Sequence, residues 1–386
     1  MRRISSEDKG EIMIYLVGGA RPNFMKIAAL SRAFDKLSMK YEIIHTGQHY
    51  DYNMNQVFFD EFGLKKPLHH LGVGSGNHGQ QTGRIMEEFE KVCISGSPDM
   101  VLCVGDVNST LAASIVAAKL HIPVAHQEAG MRSGDKKMPE EINRIVSDHV
   151  SDFLFPISQK DQSNLYKEGI TKNVYLVGDP MIDNLLYYSK DFEDDDSDPH
   201  ILVELHRPAN VDDPKNLTEI VIALSQLAEK YYVIFTLHPR TKKKIDEFNL
   251  WKYFDMIDHC DPLGYFDFHK FMKNAGCVIT DSDGIQQETS ILNVSCLAIR
   301  DTSNIQYTID HGTTQLCEPD RTEIFSKAVV KYHTKEQSNF PPMMKELNDG
   351  KSADRIARII YEYFNYRLPE KWNDSDEATI TITPTS

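Results

Sequence analysis

The chain has little of what would mark a membrane, nucleic-acid or zinc-binding protein. No apolar run in its 386 residues approaches the ~20 that a membrane-spanning helix needs. The opening "MRRISSEDKGE" carries charge with no apolar stretch behind it, so a short leader, and not a secretory signal, is expected before the first strand. Positive charge is not in excess either. Against 57 Asp and Glu stand 42 Lys and Arg, a net charge of −15, which argues against non-specific binding to nucleic acid or to an anionic membrane. The six cysteines (Cys93, Cys103, Cys260, Cys277, Cys296 and Cys317) lie far apart, form no C-x-x-C pair and sit mostly in apolar segments. That pattern favours buried free thiols in a reducing, cytoplasmic setting over disulfides or zinc. Self-similarity at a period of about 20–50 residues, which would announce a solenoid, is also missing.

What is present points to an α/β protein of two domains. The chain is too long for one ordinary core, and its 41% hydrophobic content is typical of a globular protein. "IMIYLVGG" leads into "RPNFMKIAALSRAFDKL", where Ile27, Leu30, Phe34 and Leu37 keep helical spacing and Pro22 suits a first turn. "YEIIHT", "DMVLCVGD", "IPVAHQE", "DFLFPI" and "NVYLVGD" then recur as strands with helices between them. This βαβ repetition implies a parallel doubly wound sheet. The acidic "YYSKDFEDDDSDPH" reads as a connection, and a second series of the same kind follows it. We expect a Rossmann-like domain over 1–186, a second over 201–350, a helix over 351–366 packing back across both, and a mobile tail over 367–386.

In such sheets ligands bind at the carboxyl ends of the strands, and the polar motifs fall there. "GGARPNFMK" sets Arg21 and Lys26 beside a helix N-terminus, a setting for a phosphate, although it lacks the G-x-G-x-x-G fingerprint. Asp106 ends "CVGD", where it could equally help to cap the next helix. Glu128 ends "IPVAHQE" and opens an acid-rich stretch, "HQEAGMRSGDKKMPEEINR", that also holds Glu140, Arg132 and Arg144. His206 and Arg207 follow the strand in "VELHRPANVDDP", and His238 and Arg240 follow another in "FTLHPRT". In "ITDSDGIQQE", Ser282 and the amides of Asp283 and Gly284 could hold a pyrophosphate, and Glu288 could accept both hydroxyls of a ribose. Each motif alone is a weak signal. Together they describe a diphosphate held by the second domain and carboxylates offered by the first.

"ARPNFMK", "HTGQHYDYNM", "GDVNSTLAA", "HQEAGMRS…MPEEINRIVSDH", "GDPMIDNL", "HRPANVDDP", "HPRT" and "DSDGIQQE" resemble, in order and over roughly residues 12–365, the non-hydrolysing UDP-N-acetylglucosamine 2-epimerases. The resemblance implies two Rossmann-like domains facing across a cleft (GT-B type), a homodimer, a UDP-sugar substrate, and no metal or nicotinamide cofactor. It implies inversion at the sugar C2 by anti elimination of UDP to 2-acetamidoglucal and re-addition. By position Asp106, Glu128 and Glu140 match the family's catalytic carboxylates, with Asp106 and Glu128 for proton transfer and Glu140 tuning them. His206 matches the group that stabilises the departing phosphate, and Arg21 and Lys26 match positions near the diphosphate. Ser282, Asp283, Gly284 and Glu288 match the nucleotide contacts. Gln48, His49, Gln81 and Arg207 fall near where bacterial members bind a second, activating UDP-N-acetylglucosamine.

Three departures lie in the second domain. The diphosphate turn, commonly D-S-G-G, has Asp283 in place of the first glycine, and "RDTSNIQYT" (300–308) replaces a T-E-R-P-type continuation. Ala209 takes the place of a glutamate in "HRPAN". A negative charge at 283 predicts weaker UDP binding unless its side chain points away. The alternatives these leave are a related epimerase acting on a diacetamido-uronic acid nucleotide, a glycosyltransferase of the same fold, and a UDP-sugar binder without turnover.

Overall fold

The computed structural model describes residues 12–47, 59, 61–190, 192, 199–303, 305–334 and 336–364, with only the backbone described at Arg21. Gln48, His49, the leader and the tail over 367–386 lie outside the described residues, as does most of the acidic connection. The chain forms two compact units. One takes the chain up to Asn184 together with everything from Glu346 onward, and the other is Leu185–Lys345.

In the first unit β1 (Met13–Gly18), β2 (Lys40–His45), β3 (His69–His70), β4 (Met100–Val104), β5 (Val124–Gln127) and β6 (Phe153–Phe155) form one parallel sheet in the order β3-β2-β1-β4-β5-β6. Between them run α1 (Arg21–Lys36), α2 (His78–Gly96), α3 (Asn108–Lys119) and α4 (Pro139–Val150). Strand side chains alternate between faces. Ile14 and Leu16 therefore pack with Phe24, Ile27, Leu30 and Phe34 of α1, while Tyr15 and Val17 join Phe89 and Val92 of α2 and Val116 of α3. Both faces are covered, which is why the strands read as nearly continuous apolar runs. α5 (Gln159–Lys167) follows β6, and α6 (Pro180–Tyr188) spans the join between the units.

The second unit repeats the plan. β7 (His200–Leu205), β8 (Val233–Leu237), β9 (Asp258–Cys260), β10 (Ala275–Thr280), β11 (Cys296–Ile299) and β12 (Thr314–Cys317) form a parallel sheet in the order β9-β8-β7-β10-β11-β12. Its helices include α7 (Pro208–Val211), α8 (Pro214–Ala228), α9 (Pro239–Glu247), α10 (Tyr265–Lys273), α11 (Asp283–Leu292) and α12 (Arg321–His333). Ile201, Val203 and Leu205 pack under Ile220 and Leu224 of α8 and Ile324 of α12, whereas Leu202 faces the other way with Met272, Val278 and Ile285.

Counted from each unit's first strand, both sheets run 3-2-1-4-5-6. The order reverses between β1 and β4 in one unit and between β7 and β10 in the other, which are the crevices where open α/β sheets take ligands. The last helix, α13 (Ser352–Tyr363), packs in the first unit, where Ile356 and Ile360 join the face built on α1. Its start is fixed by the buried carboxylate of Asp183, which accepts from the amides of Ser352 (3.0 Å) and Ala353 (2.6 Å). Among the described residues no helix is long and apolar enough to cross a membrane, and all six cysteines are free thiols.

Candidate active site

At the first unit's crevice, the chain leaves β1 through Gly18 and Gly19, so close to α3 that a Cβ on Gly19 would lie 1.9 Å from Ser109 Oγ. Asn23 staples the turn. Its Oδ1 accepts from the amides of Gly19 (3.2 Å) and Ala20 (2.9 Å), and its Nδ2 donates to the Val104 carbonyl (3.0 Å) at the end of β4. Gly105 follows at φ +78°, and a Cβ there would meet Asn23 Nδ2 at 2.5 Å. Only glycine fits this left-handed step.

Lys26, buried on α1, reaches Glu128, whose Oε2 lies 2.5 Å from its Nζ. Glu128 follows β5 with φ +72°, a conformation that long side chains rarely adopt and that is found where surrounding structure enforces it. Burial pushes the Glu128 carboxyl above the usual carboxylate range, and Asp179 and Asp106 push the same way against Lys26. Burial opposes the Lys26 ammonium, but Glu128 and Asp179 outweigh it and hold its pKa above the ordinary lysine value. A carboxylate raised toward neutrality beside a fixed cation is the equipment of a general base.

Asp106 accepts from Arg144 Nε (3.0 Å) and Nη2 (2.5 Å), and Arg144 Nη1 reaches Glu141 at 3.2 Å. Glu141 also takes the amides of Ser133 (2.8 Å) and Gly134 (3.0 Å); burial raises its carboxyl, but these bonds bring it below the usual range. Glu141 is thus a brace. Its neighbour Glu140 makes no hydrogen bond or ion pair among the described residues and remains the available acid of the pair. Arg132 pairs with Asp148 and Glu168, each at 2.7 Å, and not with Glu128. Beneath the acids, buried His126 meets Asp148 through Nδ1 (2.7 Å) and the Gly105 carbonyl through Nε2 (2.9 Å). Both partners are acceptors, so both ring nitrogens donate and tie β5 to the Gly105 turn; burial disfavours the charged ring, and Asp148 raises its pKa against that.

At the second unit's crevice the staple is Asp281, fully buried after β10. It accepts from the amides of His206 and Arg207 (3.0 Å each) and from Asn210 Nδ2 (2.9 Å), which also donates to the Ile299 carbonyl. His206 Nδ1 lies 2.8 Å from Glu204 Oε1. Glu204, His206 and Asp281 bring one ligand-type atom each within 4.8 Å of one another. Both Asp281 oxygens are already engaged by protein N–H groups, so the set is a hydrogen-bond network of the protein's own groups.

α11 begins at Asp283 with Ser282 in the cap position, and the Ser282 hydroxyl does not cap the helix. First-turn amides and a free hydroxyl at a helix N-terminus suit an anion. The Asp283 side chain turns sideways, between Arg207 Nη2 (2.6 Å) and Arg300 Nη1. Two guanidinium groups therefore offset the one carboxylate, and the repulsion expected of this departure is cancelled locally. Glu288, buried in α11, lies 3.1 Å from His269 Nε2, close enough for an ion pair although not aligned as a hydrogen bond. Burial works against the His269 imidazolium and Glu288 overcomes it.

Several other candidates have different employments. His238 caps α9, accepting the Arg240 amide at 3.2 Å, and burial with nearby His206 lowers its pKa. Arg240 forms an exposed pair with Asp212. Gln81 is buried, donating to the Gly74 carbonyl and accepting from Asn108, both at 2.8 Å. Arg207 belongs to the Asp283 cluster, and Arg21 sits at the first position of α1. Sequence reasoning overlooked Asp179, Asn23, Glu204 and Arg300. Asp179 had the same signal as Asp106, an acid where "NVYLVGD" ends, and Glu204 is an acid set among the apolar residues of its strand.

A model of the UDP-N-acetylglucosamine 2-epimerase family matches residues 32–361. The UDP-N-acetylglucosamine 2-epimerase of Methanocaldococcus jannaschii is 38% identical over 362 residues, covering 89% of this chain and 98% of that protein. The UDP-2,3-diacetamido-2,3-dideoxy-D-glucuronate 2-epimerase of Pseudomonas aeruginosa is 39% identical over 324 residues, covering 82% and 91%. The crystal structure of the M. jannaschii enzyme in complex with UDP-GlcNAc and UDP superposes with a TM-score of 0.77 at 37% identity, covering 91% of this chain and 100% of that one. The family model and these relatives, each matched over most of its length, agree: this chain is a member of the UDP-N-acetylglucosamine 2-epimerase family.

Proposed function

We propose that the protein is a non-hydrolysing 2-epimerase interconverting UDP-N-acetylglucosamine and UDP-N-acetylmannosamine. The observation that carries the reading is Glu128, a buried carboxyl raised above its ordinary range and held at positive φ beside Lys26. In the forward direction a carboxylate of this set, Glu128 or Asp106, takes the C2 proton. The C2–H electron pair becomes the C1=C2 bond of the glucal, and the C1–O bond breaks with its pair leaving on UDP. In the return direction the UDP phosphate oxygen attacks C1, and a protonated member of the set delivers a proton to the opposite face of C2. Each general acid or base is worth roughly 10²–10⁴-fold in rate. Glu140 tunes the pair, and Lys26 and Arg144 keep the cluster's charges balanced.

The second unit supplies the nucleotide half of this reading. Ser282 and the first-turn amides of α11 take the diphosphate, Glu288 takes the ribose hydroxyls, and His206 neutralises the departing phosphate. The product suits a supply of N-acetylmannosamine units for polysaccharide biosynthesis. Proton NMR of the protein with UDP-N-acetylglucosamine in D₂O tests the reading. We expect a UDP-N-acetylmannosamine anomeric signal with deuterium entering at C2, and folded protein that gives neither product nor exchange would overturn it.

A second reading is favoured by one observation, the 39% identity over 324 residues to the P. aeruginosa diacetamido-glucuronate 2-epimerase. The same assay with that UDP-sugar decides between them by relative kcat/KM.

A further inference from the structure

After His200, β7 is apolar except at Glu204. Along the strand Ile201, Val203 and Leu205 enter one core and Leu202 the other, and Glu204 projects on the side of Leu202. A carboxylate there is mostly withdrawn from water, its side chain 17% exposed, and burying one needs a partner. Its partner is two residues on. In an extended chain residues i and i+2 share a side, which brings His206 Nδ1 to 2.8 Å from Glu204 Oε1. Its other oxygen lies 3.5 Å from Thr280 Oγ1, the register partner across β10. Asp281 is near as well, 3.6 Å from His206 Nδ1, but its oxygens serve the amides of His206 and Arg207 and the side chain of Asn210. The imidazole therefore answers to Glu204.

We propose that Glu204 is the positioning residue for His206: it takes the Nδ1–H, fixes the ring on β7, and leaves Nε2 as the nitrogen offered to the substrate's diphosphate. The inference rests on the reading of His206 as the group that meets the departing phosphate. Such carboxylate–imidazole pairing selects the tautomer as well as the orientation. It also favours the charged ring. Glu204 raises the His206 pKa above the ordinary histidine value, against burial and the neighbouring Arg207, while Asp281 adds to the raise. His238, with its ring 5.5 Å away, is shifted the other way, downward, by burial and by His206. The remaining charged groups around the ring, Arg207, Asp283 and Arg240, are paired with each other or with Asp212 and Arg300.

The sign follows from the raised pKa. Removing the Glu204 charge lowers the His206 pKa, so the variant loses its imidazolium at lower pH than the wild type does. Glu204→Gln keeps an oxygen to accept the Nδ1–H and deletes only the charge. Its kcat falls at every pH, and the wild-type-to-variant ratio grows about tenfold between pH 6 and pH 9, with KM for UDP-N-acetylglucosamine changing less than about threefold. NMR titration of the His206 ring in the full-length protein without substrate should show a lower midpoint in Glu204→Gln. A ratio constant across pH, together with an unmoved His206 midpoint, overturns the proposal. His206→Ala separates the two levels. If it retains full turnover, the role of His206 fails, whereas the ring titration in Glu204→Gln still reports whether Glu204 governs the imidazole.

Discussion

The two crevices solve one topological problem with opposite chemistry. Both units must pin the turn after their first strand to the end of their fourth. In the first unit a neutral side chain does it from the helix, Asn23 giving and taking hydrogen bonds between the β1 turn and Val104. In the second a charged side chain does it from the strand end, Asp281 taking two amides and Asn210. The choice sets what charge each crevice has left to use. A neutral staple leaves the first unit's carboxylates, Glu128 and Asp106, matched to Lys26 and Arg144. A carboxylate staple is followed in the second unit by cations, with His206, Arg207 and Arg300 gathered around it and Asp283. Under the proposed function, one crevice moves a proton and the other receives phosphate.

The largest effect should come from deleting the base. Glu128→Gln is expected to lower kcat about 10³-fold in the NMR exchange assay while the calorimetric Kd for UDP moves less than about threefold. Loss of UDP binding together with turnover would mean that the crevices do not divide the labour. Next come the staples themselves. Asp281→Ala strands the His206 and Arg207 amides and Asn210, and should cost about 3–5 kcal/mol, because bonds to a buried charge are the strong ones. Asn23→Ala should cost about 2 kcal/mol. Native-state hydrogen exchange of the two turns is the measurement, since a protein of two units does not unfold as one. Equal protection losses would erase the distinction between neutral and charged staples.

A smaller change falls on the nucleotide side. Arg300→Met leaves Asp283 with Arg207 alone, so part of a negative charge returns to the start of α11. The Kd for UDP is expected to rise about tenfold, ~1.4 kcal/mol. An unchanged Kd would show that Arg207 suffices to mask Asp283.

Much of this plan was legible in the sequence, and the limits have a physical pattern. The alternation of apolar runs with helical spacing announced two parallel sheets, because burial on both faces dictates composition. Strand ends can be read as well, so Asp106, Glu128 and His206 stand out as ends of runs. What each side chain faces was not legible. Nothing local shows that Glu128 takes a positive φ, that Glu141 and not Glu140 is consumed by the Ser133 and Gly134 amides, or that Asp283 turns toward Arg300, seventeen residues on. These depend on which loops the sheet order makes neighbours. Asn23 looked like an ordinary helix residue for the same reason: its partner, Val104, lies 81 positions away.

The mildest test uses pH and addresses the first crevice's foundation. His126 is fully buried with a pKa raised above 6.5, and Asp148 has one lowered below 3.8. For the histidine, a raised folded value means its stabilising contribution is complete below pH 6.5 and drains away as pH climbs through the folded pKa. For the aspartate, a lowered value means the contribution is present above pH 3.8 and is lost as pH falls through the folded pKa. The pair therefore stabilises the β5 end most between pH 3.8 and pH 6.5, and the Gly105 turn should loosen on the alkaline side first. Hydrogen exchange corrected for intrinsic rate should show protection around Gly105 and Gly130 declining from neutral to alkaline pH in the wild type. In Asp148→Asn that decline should begin at lower pH, because the imidazolium has lost its counter-charge. The Asp281 turn is held by the amides of His206 and Arg207 and by Asn210, none of which titrates, and the His206 ring stands outside those bonds at 3.6 Å, so the turn's protection should hold over the same range. If both turns loosened together, the brace under the acids would be no different from the rest of the fold.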